Sequence, residues 1–188
     1  LLGYWGVAAW ETLVPGMPRA RSLAGQLNGL GALPIAPRGT LHWGTALAAA
    51  SARVLKGLLP AATAPTVAAI DALVVESSRP VLRPGVLGVG VLGRSQAFGR
   101  AVADAVLAWA VADGYAVVNG CPYVPSGMPG AWQPTPPAHQ PNPLQPCWGE
   151  LRTFVIDDGA DCAPVDPPAF DVFPDSDFHL AAQEVYDV

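Results

Sequence analysis

Apolar residues recur at helical spacing in five stretches of the chain, and most of these stretches are bounded by residues that start or stop helices. Val14 precedes Pro15 and ends the first stretch, because a residue before proline is biased away from helical geometry. Thr63 is a suitable N-cap ahead of Pro65, and Gly114 is a suitable C-terminal stop. The pattern predicts helices over residues 1–13, 45–59, 64–78, 88–112 (or 92–112) and 177–188.

Two of these predicted helices carry signals for packing. The 64–78 helix is expected to bury a face formed by Ile70, Leu73 and Val74. In the 88–112 helix, small residues recur at four-residue intervals and would let another helix approach closely; they are Ala97, Ala101 and Ala105. Arg100 and Asp104 have the i, i+4 spacing of a surface ion pair, so we expect them to pair.

The chain changes character after Tyr115. Gly120–Pro146 contains nine prolines, which rules out a helix or a central strand and predicts an extended arm on the surface. Leu151–Ile156 suits a short strand, and residues 157–174 suit an acidic, proline-rich solvated loop. Ser176 is a suitable N-cap for the last helix.

These elements predict a mainly α fold, a helical bundle with long Pro/Gly-rich loops and an extended arm. We expect one domain over residues 1–188, made of a bundle portion at 1–114, a proline-rich arm at 115–175 and a terminal helix at 176–188. The first predicted helix lacks an N-cap residue and the last lacks a C-cap, so both are expected to continue beyond the chain as parts of a larger bundle.

The composition points to a packing partner. Only 13% of the residues are charged, against about 25% in soluble domains, while 51% are hydrophobic. A membrane span is not expected, because the most apolar predicted helix segment, 101–112, is interrupted by Asp104 and is shorter than the roughly 20 residues needed. The net charge of −5 and the lack of a basic cluster argue against nucleic acid. Burial against further protein is therefore the expected explanation.

The three cysteines allow at most one disulfide and lack the spacing of a zinc site. Cys147 and Cys162 flank a short loop, and a bridge between them would stabilise the fold by about 3 kcal/mol in the chain-entropy model. Free buried thiols are an equal alternative.

Other chemistry-bearing residues are interpreted as structural. His42, His139 and His179 lie in separate segments with no shared helical spacing. Ser126 lies in a Pro-Ser-Gly-Met string that is similar to a phosphate-binding Pro-Ser-Gly-His turn, but Met128 replaces the histidine. The Gly-rich string 85–93 lacks a nucleotide-binding arrangement. We therefore expect no catalytic, cofactor-binding or metal-binding residue in this chain.

Specific strings nevertheless match one known family. Near the start they are Gly6–Glu11, Val14–Pro18 and Ser22–Leu30. Further along, in the same order as in that family, they are Trp132–Pro137, Trp148–Gly149, Arg152–Phe154 and Glu184–Asp187. With these strings the chain resembles, over nearly its whole length, the N-terminal part of bacterial vanadium-dependent haloperoxidase-like proteins, within the type 2 phosphatidic acid phosphatase superfamily.

The resemblance implies a helical bundle that binds vanadate or phosphate through KxxxxxxRP, PSGH and SRxxxGxHxxxD motifs. None of these motifs occurs in the sequence, so the resemblance transfers no catalytic residue and leaves open whether this chain is an enzyme. It implies a non-catalytic N-terminal scaffold, which would pack against a catalytic bundle in a C-terminal part. That part would perform peroxide-dependent halide oxidation or acid-phosphatase-type chemistry, with vanadate as the cofactor in the first case.

The alternative is a stand-alone structural or assembly protein, derived from the same scaffold and without enzymatic activity, whose proline-rich arm binds neighbours. A second copy of the chain is the other expected packing partner, in place of the catalytic bundle. The family and the possible disulfide together suggest a secreted or periplasmic location.

Overall fold

Six α-helices carry the regular structure of this computed structural model, which describes residues 1–79 and 88–187. The helices are Leu2–Leu13 (α1), Trp43–Leu58 (α2), Ala64–Ser78 (α3), Val89–Val111 (α4), Tyr115–Val118 (α5) and Asp177–Tyr186 (α6). Short 3-10 turns lie at Val14–Gly16, Trp148–Glu150 and Gly159–Cys162. The described residues contain no β-strand, and the predicted mainly α class is confirmed. Part of the Gly-rich string 85–93 lies outside the described residues.

The chain divides into two compact units, Leu1–Asp113 and Gly114–Val188. The division falls where the sequence predicts the change from the bundle portion to the arm. Gly114 has a φ of 92°, a left-handed conformation that glycine adopts without a Cβ clash, and it stands directly between α4 and α5. That the two portions act as a single domain stays a prediction.

The central helix of the first unit is α2, which packs against α1, α3 and α4. Its buried face is made mostly of small residues, namely Thr45, Ala46, Ala49, Ala50, Ala52 and Val54. The larger side chains come from α4, where Phe98, Val102, Val106 and Trp109 are buried. Because the alanines of α2 are short, the bulk that fills this core is supplied by the neighbouring helix.

The closest approach between α2 and α4 occurs at Gly99. A Cβ placed on Gly99 would collide with the backbone of Ala46, so only glycine fits at this position. The stripe predicted to allow close approach is wrong, since Ala97 and Ala101 are exposed. The contact lies on a different face of the helix, and Gly99, one of the three glycines of α4, was the overlooked signal.

The bounds predicted for α3 agree with the structure, but the composition of its buried face does not. Ile70 and Val74 are half-buried, whereas Leu73 is 69% exposed. Thr63 stands at the N-cap position, yet its Oγ1 is hydrogen-bonded to Thr66 Oγ1 (3.0 Å) rather than to the backbone. The start of α3 is therefore fixed by Pro65 more than by the cap.

The predicted ion pair between Arg100 and Asp104 does not form. Asp104 instead accepts from Nε of Arg53 on α2 at 2.6 Å, and Arg100 donates to the side-chain oxygen of Gln96 at 2.9 Å. The reason is the close packing of α2 on α4, which brings Arg53 within reach of the Asp104 carboxylate. Sequence spacing alone pairs that carboxylate with Arg100 in the same helix.

In the second unit, Cys147 is bonded to Cys121, with their Cα atoms 6.1 Å apart, and Cys162 is free and exposed. The bridge predicted between Cys147 and Cys162 is therefore wrong. Cys162 ends a 3-10 turn whose N-terminal end is closed by a capping box between Asp158 and Asp161, so this cysteine belongs to a separate local structure. The disulfide that forms joins two positions within the proline-rich arm.

The stretch of chain from residue 151 to the end of α6 consists of bends, turns, irregular chain and one capped helix. Residues 151–156 form bends and irregular chain, so the strand predicted there is wrong. Ser176 caps α6 as predicted, since its Oγ accepts from the backbone N–H of His179 at 3.1 Å. The helix buries none of its described residues.

Candidate functional site

A cluster of buried polar side chains lies where α2 begins beside α4. The backbone N–H of His42 donates to Ser95 Oγ at 2.9 Å, and Ser95 Oγ donates to the carbonyl of Val91 at 2.7 Å. His42 Nδ1 accepts from the backbone N–H of Thr45 at 3.2 Å and lies 2.8 Å from Thr45 Oγ1. Thr45 and Ser95 are fully buried.

This arrangement gives His42 a structural task. Its imidazole stands where Ser, Thr, Asp or Asn usually cap a helix, and it satisfies a backbone donor of the first turn of α2. The helix therefore begins at Trp43, two residues before the predicted start. Sequence reasoning missed this role because histidine is an uncommon N-cap.

Glu11 is a second buried polar group that the sequence interpretation missed. It is 5% exposed, and its carboxylate accepts from Ser22 Oγ at 2.8 Å and from the backbone N–H of Leu23 at 2.5 Å. A carboxylate on the buried face of α1 thus holds the loop that follows this helix. The signal was present in the sequence, as Glu11 is the only charged residue between Leu1 and Pro18.

The remaining candidates from the sequence are dispersed. His139 is exposed on the arm with a φ of 45°, and His179 is half-buried in the first turn of α6. Ser126 is exposed in a turn, where its Oγ accepts from the backbone N–H of Met128 at 3.4 Å. Trp132 is half-buried and packs edge-on against Tyr123, with ring centroids 6.0 Å apart. Each of these contacts orders the arm itself.

An oxyanion such as vanadate requires several converging cationic or N–H donors. Among the described cations, Arg53, Lys56 and Arg79 are each paired with a carboxylate and are not free to bind one. His42 Nδ1 is occupied by the helix cap. Over the ranges 1–79 and 88–187, no group of three or more His, Cys, Asp and Glu side chains is arranged to hold a metal ion.

The structure instead leaves apolar surface uncovered on α3. This helix is apolar around its circumference, with Asp71 and Glu76 as its charged residues, and it buries only Ser78. Leu73 is 69% exposed and Val75 is 63% exposed, and they lie on opposite flanks of the face that contains the half-buried Ile70. A helix that is apolar on all sides is usually enclosed by other helices, so α3 has apolar surface available for packing.

None of the helices in the described part of the chain combines the length and the hydropathy needed to cross a bilayer.

The helical fold resembles part of a known bacterial haloperoxidase structure. It superposes on a crystal structure described as that of the first bacterial vanadium-dependent iodoperoxidase, with a TM-score of 0.78 and 35% sequence identity. The match covers 98% of this chain and 42% of that chain, so this chain spans less than half the length of the protein that it resembles. The resemblance inferred from the residue strings is confirmed.

The other comparisons add no relative. No family model matches the chain, and no curated protein is significantly similar to it.

Proposed function

We propose that these 188 residues form a non-catalytic helical scaffold of a vanadium-dependent haloperoxidase-like protein, with the oxidation chemistry in a separate portion. The observation that carries the proposal is the exposed apolar surface of α3 within a chain that resembles 42% of a vanadium-dependent iodoperoxidase. The portion of such a protein that binds vanadium would supply both the missing anion-binding residues and the missing cover for this helix.

The internal organisation of the first unit supports a scaffold role. Its buried polar groups are satisfied by helix capping and loop anchoring, as His42 and Glu11 illustrate. Buried polar groups used in this way fix the positions of backbone segments, so His42 and Glu11 are engaged in structural hydrogen bonds. The rigid α2–α4 pair would then present α3 to its partner at a defined position.

Peroxide-dependent halide oxidation is the activity that we assign to the separate portion, because the similar structure is described as an iodoperoxidase. An assay tests the assignment of roles. The purified 188-residue chain is incubated with orthovanadate, hydrogen peroxide and iodide, and triiodide formation is followed by absorbance. We expect no triiodide above the protein-free rate, and hydrolysis of a phosphomonoester should be equally undetectable.

Circular dichroism with a cooperative melting curve provides the folding control for this assay. Robust iodide oxidation by the folded chain would show that an active site lies within these residues and would overturn the proposal. The intact mass of the natural protein gives a second readout. A mass well above 19.4 kDa is expected, whereas a mass equal to it would favour the stand-alone assembly protein.

A further inference from the structure

The charges of this chain are separated by sign along the sequence. Residues 12–70 contain five Lys and Arg and no acidic residue, whereas residues 153–188 contain nine Asp and Glu and no Lys or Arg. The net charge of −5 conceals this separation. Like charges within one segment repel each other, so each segment is stabilised when it lies near charges of the opposite sign.

The acidic segment, defined here as residues 153–187, also exposes much apolar surface. Phe173 is 72% exposed and Val172 is 69% exposed, and they lie between Asp171 and Asp175. In α6, Leu180, Val185 and Tyr186 are exposed, while Phe178 packs against Phe170 at a ring distance of 5.1 Å. Exposed aromatic and aliphatic side chains surrounded by acidic ones are typical of a protein-binding surface.

The basic segment, defined here as residues 17–40, has the complementary character. Arg19, Arg21 and Arg38 are exposed and form no ion pair with the described residues. Ile35 is 92% exposed in the same segment. This surface is therefore cationic and partly apolar, as a partner for the acidic segment needs to be.

The basic segment is held in place before any partner binds. Trp10 donates from its indole N–H to the carbonyl of Arg21 at 3.0 Å, and Glu11 accepts from Ser22 Oγ and the backbone of Leu23. The indole N–H of Trp109 reaches the carbonyl of Asn28 at 2.9 Å. An ordered surface loses less conformational entropy on binding than a mobile loop does.

We propose that the acidic segment of one chain docks onto the basic segment of a second copy. Two copies that exchange these contacts through two equivalent interfaces would bury both exposed apolar surfaces. They would also pair the three arginines of each basic segment with part of the charge of each acidic segment. Because each copy carries one segment of each sign, the association is self-complementary and needs no other partner. This inference does not depend on the proposed scaffold function.

Sedimentation velocity on the 188-residue chain tests the docking. We expect a dimer at low ionic strength that dissociates as salt is added, because exposed charges are screened at high salt. The variant Arg19→Glu/Arg38→Glu and the variant Asp166→Lys/Asp175→Lys should each weaken self-association by about tenfold or more, since each removes opposite-charge contacts and creates like-charge ones. A mixture of the two variants should form a dimer again.

Arg79→Glu/Arg100→Glu is the matched control, because it makes the same charge change at two exposed positions outside the basic segment. It should leave the dimer intact. Several results would overturn the proposal: a monomer at every concentration in low salt, an association equally weakened by the control, or a mixture that stays monomeric. If the charge-reversed variants unfold at a lower temperature while their sedimentation mass equals that of the unaltered chain, the two segments contact each other within one chain. That result also contradicts docking between copies.

Discussion

Gly99 of α4 lies directly against the carbonyl oxygen of Ala46 in α2, closer than any side chain would allow. The Gly99→Ala substitution should therefore push the two central helices apart. Overpacking of this kind costs about 1–3 kcal/mol of unfolding free energy, which exceeds the gain in helix propensity. Urea unfolding followed by far-UV circular dichroism measures the difference.

Gly93→Ala is the matched control for this substitution, because Gly93 lies in the same helix and a Cβ there meets nothing within 4 Å. We expect it to stabilise the protein by about 0.8–1 kcal/mol through helix propensity alone. If both substitutions stabilised the protein equally, α2 and α4 would not approach each other at Gly99.

Glu11 is predicted to hold the loop that follows α1. Glu11→Ala removes the acceptor for Leu23 N–H and Ser22 Oγ and should lower the unfolding free energy by about 1–3 kcal/mol, because a partly buried donor is left without a partner. Hydrogen exchange at the Leu23 amide should accelerate. Glu76→Ala, which removes an exposed ion pair with Arg79, should change stability by less than about 1 kcal/mol. Unchanged exchange at Leu23 in the Glu11 variant would contradict the anchoring role.

His42 is predicted to act as a helix cap. His42→Ala should destabilise the protein by about 1 kcal/mol, and His42→Asn should restore most of that loss, because asparagine offers a side-chain acceptor to Thr45 N–H. Thermal unfolding of the two variants provides the comparison. A histidine needed for its imidazole chemistry would not be replaced by asparagine, so equal loss in both variants would argue against the capping role.

The disulfide between Cys121 and Cys147 should stabilise the second unit. The Cys121→Ser/Cys147→Ser variant should lose about 3 kcal/mol in the chain-entropy model, whereas Cys162→Ser should be neutral, since Cys162 is free and exposed. Peptide mapping without reduction should find residues 121 and 147 in one linked fragment, with Cys162 alkylated. A linked fragment that contains Cys162 would restore the pairing expected from sequence.

The sequence determines the helices better than their contacts. The bounds of α3 were predictable, since Thr63, Pro65 and the following apolar period all act within one segment. Contacts between segments were less accessible. Asp104 pairs with Arg53 on another helix instead of with Arg100 on the same helix. Cys147 is bonded to Cys121 although Cys162 is nearer in sequence. Spacing along the chain carries no information on which helix packs alongside.

The candidate functional features show the same difference between what the sequence predicts and what only the folded chain defines. Exposed Leu73 could not be distinguished from a core residue by hydropathy, because α3 is apolar on every side. Glu11 and His42 owe their roles to backbone groups of neighbouring loops and turns, which only the folded chain defines. The family resemblance, in contrast, rests on ordered residue strings and was accessible from the sequence.

Vanadate binding by the purified chain tests the scaffold assignment most directly. Titration of the folded 188-residue chain with orthovanadate, followed by ⁵¹V NMR, should leave the resonance of free vanadate unshifted and unbroadened at every protein concentration. The contradicting result is a resonance of bound vanadate that saturates at one orthovanadate per chain and disappears when phosphate is added. It would place an oxyanion site within these residues.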